Sequence, residues 1–99
     1  MEKRIAVIGI IIENSDSTEQ INSILHNFSN IIIGRMGLPY KERNLSVISI
    51  IIDAPVDVIS SLTGKLGKIN GVSVKAAISK HWYYRKEEFL CLIVNQIKQ

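Results

Sequence analysis

The sequence predicts an α+β domain of ferredoxin-like order, βαββαβ, with an antiparallel sheet and two helices on one of its faces. Three observations lead there. The runs Arg4–Ile12, Ile31–Leu38 and Leu45–Asp53 are rich in isoleucine and valine and too short for buried helices, so they read as strands. Two stretches with apolar residues at helical spacing lie between the first and second runs and after the third. The chain is 46% hydrophobic but only 6% aromatic, so its core must be aliphatic, and β-branched side chains suit a pleated surface.

The first strand is the apolar run Arg4–Ile12, bounded by Glu13-Asn14-Ser15-Asp16. A helix is expected to start at Asp16 or Ser17, where Glu19 or Gln20 three residues on completes a capping pattern. Ile21, Ile24, Leu25 and Phe28 then share one face, and Asn30 is expected to end the helix. His26 has no ligand partner at i+4, where Asn30 stands, and reads as a surface residue.

The second and third strands are expected over Ile31–Leu38 and Leu45–Asp53, as a central hairpin. Pro39 should close the second strand, because proline cannot donate to a ladder, with the turn over Pro39–Asn44. Gly34 and Gly37 inside that strand, and Gly9 in the first, mark a bulge or a close approach of backbone or ligand.

The second helix is expected after Asp53-Ala-Pro-Val-Asp57, with Pro55 in its first turn and Val58, Ile59, Leu62 and Leu66 facing the sheet. Gly67 is placed to cap it in a left-handed conformation, and Gly64 implies close packing on the sheet or a subunit, or else ligand contact. Asn70-Gly71 makes a turn into a fourth strand, Val72–Ser79, with Val72, Val74, Ala76 and Ile78 on one face.

The domain therefore spans residues 1–79, followed by a C-terminal extension over residues 80–99. The extension holds three of the six aromatic residues in succession, Trp82 to Tyr84, and then Phe89, Leu90, Ile93 and Ile97 at helical spacing, although Leu90–Val94 also fits a strand. Phe89, Leu90, Ile93 and Ile97 should dock on the domain or on a neighbouring subunit, with Trp82 to Tyr84 as hinge. Cys91 reads as a small buried hydrophobe.

One cysteine excludes an internal disulfide and suits the reducing cytoplasm. The longest N-terminal apolar run, Ile5 to Ile12, is far below the ~20 residues that span a bilayer, and no cleavage-site pattern follows Lys3-Arg4. The net charge of +3 is spread along the chain without a basic stripe, which speaks against direct nucleic-acid binding.

The first and third runs are apolar on both faces. Leaving one sheet face in water would expose several aliphatic side chains, each worth ~1.5 to 3 kcal/mol when buried. A homo-oligomer, dimer or tetramer, is therefore expected, joined through the face opposite the helices or through strand edges. Depending on register, Val47 and Ile51 or Ile48 and Ile50 would lie in that interface.

The segments "IIIGRMGLPY", "LSVISIIID" and "LTGKLGKINGVSVK", in the order βαββαβ, resemble the family of iron-only hydrogenase system regulators over residues 3 to about 79. The resemblance implies an ACT-like fold, similar to the C-terminal domain of the nickel-responsive repressor, and a regulatory role of the transcriptional-regulator kind without catalysis. The repressor's histidine and cysteine ligands have no counterpart in Ile31–Leu38 or Leu45–Ile52, so neither metal nor cofactor is expected.

ACT-like domains place ligands at subunit interfaces between a loop and a neighbouring strand. A small anionic effector is accordingly expected beside Gly34, Arg35, Met36 and Gly37, where the second strand nears Asn14 and Ser15. Arg35 would supply the charge and the helix start an anion-favouring end. The competing reading keeps the glycines for a bulge or subunit packing and pairs Arg35 with a glutamate. Two other functions compete with a regulatory module. A small ferredoxin-like enzyme would need a paired acid and base, and His26, His81, Asp53 and scattered glutamates form no such pair. An RNA-binding domain would stack bases on aromatics in the middle strands, and the first and third strands contain none.

Overall fold

A computed structural model describes residues 2–80, and the expectations for the extension after Lys80, including those for Cys91 and His81, lie outside the described residues. The element order is β1 (Arg4–Ile12), α1 (Thr18–Asn27), β2 (Ile32–Tyr40), β3 (Leu45–Ala54), α2 (Val56–Gly67) and β4 (Val72–Ile78). The four strands form one antiparallel sheet in the order β2-β3-β1-β4, the ferredoxin-like topology.

Parity along β1 and β3 divides the sheet into two faces. Ala6, Ile8 and Ile10 pair with Ile52, Ile50 and Ile48 in register, and together with Ile12 and Ala54 they pack under both helices. Ile21 and Leu25 of α1 and Ile59, Leu62 and Leu66 of α2 close this core, while Ile24, Phe28, Val72 and Val74 sit half-buried at its margin. Nine large aliphatic side chains are fully buried there, each contributing ~1.5 to 3 kcal/mol.

The chain enters α1 through a 3-10 turn, Ser15–Ser17, and Asn14 is its N-cap, with its side chain accepting from the Asp16 N–H at 3.1 Å. The helix ends at Asn27, before the Asn30 expected to stop it, because a second 3-10 turn over Ser29–Ile31 leads into β2.

Pro39 lies inside β2, opposite Ser46, and does not close the strand. An edge strand tolerates it, since its missing donor faces no neighbour. The turn contracts to Lys41–Arg43, with Asn44 left-handed at φ 54. Pro55 precedes α2 as its N-cap instead of entering the first turn.

Gly67 remains helical and does not take the left-handed cap expected of it; the positive φ belongs to Gly71, at +73. The reason is a tight crossing: a Cβ on Gly71 would stand 2.7 Å from the Cβ of Asn14. The Gly71 carbonyl accepts from the Glu13 N–H at 2.8 Å, and the Ser17 hydroxyl donates to the Asn70 carbonyl at 2.8 Å. These contacts tie the β1–α1 loop to the α2–β4 loop. Gly64, by contrast, has no atom within 4 Å of where its Cβ would stand, so close packing within the domain does not explain it.

Candidate functional site

The sheet face opposite the helices is the candidate site. Register sets its side chains in three rows across the strands. Gly34, Ile51, Val7 and Ala77 form the first, Met36, Ser49, Gly9 and Lys75 the second, and Leu38, Val47, Ile11 and Ser73 the third. Ile51, Ile11, Val7, Leu38 and Met36 are between 39% and 67% exposed, so five large apolar side chains share one open surface. Monomeric proteins rarely leave such a contiguous patch bare. Gly9 and Ser49 are neighbours at its centre and nothing lies within 4 Å above Gly9, which makes a shallow trough between the outer rows.

This register selects the pair Val47 and Ile51 for the open face. Ile48 and Ile50 point the other way, 7% and 0% exposed beneath the helices, and so cannot belong to an interface on that face.

A bulge explains the placement of β2. Ile32 opposes Ile52 and Gly34 opposes Ile51, so Ile33 is the inserted residue and stands largely exposed. The slip turns Gly34, Met36, Leu38 and Tyr40 to the open face and Arg35 and Gly37 to the helix side. The Arg35 guanidinium donates to the Asn22 side-chain carbonyl on α1 at 2.7 Å, in place of the glutamate partner considered from the sequence. Around it Asn22, Leu25, His26, Ser29 and Ile32 line a shallow depression. Neither Gly34 nor Gly37 is a close approach: a Cβ on Gly34 would make ordinary contact with Ile51 at 3.6 Å, and Gly37 has open space.

The expected effector residues therefore do not converge. Ser15 lies with Ile12, Pro39, Tyr40, Lys41, Asn44, Leu45 and Ser46 around a cavity of about 120 Å³ at the hairpin end of the sheet. Gly34 opposes Ile51, five residues along β3 from Ser46, which is ~16 Å at the strand rise. The second strand meets Ser15 with Pro39 and Tyr40, and those two residues carry no functional signal in the sequence. Among the described residues no cluster of three histidine, cysteine or acidic side chains could hold a metal ion. Among the same residues no helix is long and apolar enough to cross a membrane.

A model of the TM1266-like family, described as "Iron-only hydrogenase system regulator, putative", matches residues 4–76. The chain belongs to that family. The structure of the uncharacterized protein TM1266 from Thermotoga maritima superposes with a TM-score of 0.77 at 39% identity. The match covers 80% of this chain and 100% of the Thermotoga protein, so the ferredoxin-like fold is shared along that protein's whole length. No curated protein matches this TM1266-like chain.

Proposed function

We propose that this protein is a non-catalytic, cytoplasmic regulator of the iron-only hydrogenase system that works by association. It assembles with copies of itself and takes up a small anionic effector. The observation that supports the reading is the open sheet face, where five large apolar side chains stand exposed in register in a domain whose helix side is fully packed. Such a surface serves binding, and burying Val47 and Ile51 in a subunit interface recovers the free energy their exposure forgoes. The family description supplies the system that is regulated.

The effector site is assigned to Arg35, which is exposed and held by Asn22 beside His26. Its guanidinium is a fixed cation with donors free for a carboxylate or phosphate. Sedimentation at micromolar concentration should give a dimer or larger species, and a well-folded monomer overturns the association reading. Titration of anionic metabolites against the wild type and Arg35→Ala should show a thermal shift lost in the variant. Identical shifts in both proteins remove Arg35 from the site.

A further inference from the structure

The two edges of the sheet, β2 and β4, are finished differently. The β2 edge is interrupted twice, by the bulge at Ile33 and by Pro39, and both features blunt an edge against further pairing. The β4 strand runs from Val72 to Ile78 in unbroken register with β1 and holds neither bulge nor proline. Two bonds fix which of its backbone groups look outward. The Glu13 N–H donates to the Gly71 carbonyl and the Ser79 N–H to the Ile5 carbonyl, so odd-numbered residues turn their N–H and C=O toward β1. Those of Val72, Val74, Ala76 and Ile78 therefore point away from the sheet, and no strand faces them among the described residues.

Such an edge accepts an antiparallel strand, and a second β4 brought in by a two-fold axis offers the same groups in reverse. Pairing through the even-numbered residues lets the axis pass at Val74, Lys75 or Ala76. At Lys75 it sets two ammonium groups directly opposite, which is destabilising. At Val74 it leaves Ile78, which is 39% exposed, beyond the last pair. At Ala76 it pairs Val74 with Ile78, covers that exposed side chain, and brings Lys75 opposite Ala77.

The open face agrees with the last choice. When two such pairs stack face to face with dihedral symmetry, an axis at Ala76 sets the first row over the second. Each strand then meets small on large: Gly34 with Met36, Ser49 with Ile51, Gly9 with Val7 and Ala77 with Lys75. The open space above Gly9 is filled.

We infer that β4 pairs with β4 of a second copy about an axis at Ala76, joining two face-to-face dimers into a tetramer. The inference rests on the association reading and adds a second interface to it. A seven-residue edge is far smaller than the ~20 to 30 residues a side of a stable interface, so the edges join only chains that their open faces already hold.

The test begins with Ala76→Pro in the full-length chain. The lost N–H points outward, as at Pro39 on the other edge, so circular dichroism should stay native. Sedimentation at micromolar concentration should give a tetramer for the wild type and a dimer for the variant. A variant that remains tetrameric overturns the inference. A wild type that stops at a dimer overturns it too and leaves the association reading standing, whereas a monomeric wild type overturns that reading itself. Single cysteines in a Cys91→Ser background decide the matter even where the proline variant fails to fold. Under mild oxidation Ala76→Cys should form a disulfide between chains about tenfold faster than Val74→Cys or Lys75→Cys, since the bond needs Cα atoms within ~7 Å and only a residue on the axis lies that close to its own copy. A faster bond at either other position, or equal rates at all three, overturns the inference.

Discussion

The two faces of this sheet are built from the same residue types and have opposite fates. On β1, Ile8 and Ile10 are fully buried, whereas Val7 and Ile11 beside them stand more than two-fifths exposed. Helix packing alone separates them, because α1 and α2 both lie on the even-numbered side of β1. Apolarity in a strand thus does not say which face the helices will cover, and only the rest of the fold decides it.

The sharpest way to break this comparison is to charge one residue on each face. Ile48→Lys places an ammonium in the core without a partner and should leave the domain largely unfolded by circular dichroism. Val47→Lys, one residue away, should keep native circular dichroism and lose association in sedimentation. Unfolding of both variants would mean that the open face is as essential to the monomer as the closed one.

A smaller effect sharpens the same contrast. Ile50→Ala empties a fully buried site and should cost ~2 to 5 kcal/mol in urea unfolding. Ile51→Ala on the other face should cost about 1 kcal/mol, with equal costs indicating equal burial. The smallest effect belongs to the floor of the trough: with open space around it, Gly9→Ala should change stability by no more than ~0.5 kcal/mol.

Those residues also mark what could be read in advance. The run Arg4–Ile12 is apolar at nearly every position, which identifies a strand with its bounds but hides which parity meets the helices. Val47 and Ile48 could be told apart only once strand pairing was known. The face that Arg35 takes is hidden for a related reason. The inserted Ile33 reverses the parity of everything after it, and one extra residue in a β-branched run leaves no compositional trace. Gly67 fitted the local rule for helix ends, yet the left-handed position went to Gly71, where Asn14 from a distant loop excludes a side chain. Pro39 reads locally as a strand terminator, because its edge position follows from topology and not from its neighbours.

The tie between the β1–α1 and α2–β4 loops has an entropic meaning. Ser17 and Asn70 are separated by 53 residues, and the Glu13–Gly71 bond spans a similar length, so closing this junction costs chain entropy that local helix formation does not. Ile12 pairs with Val72 beside it, so a single closure of the chain serves the junction and the β1–β4 pairing together.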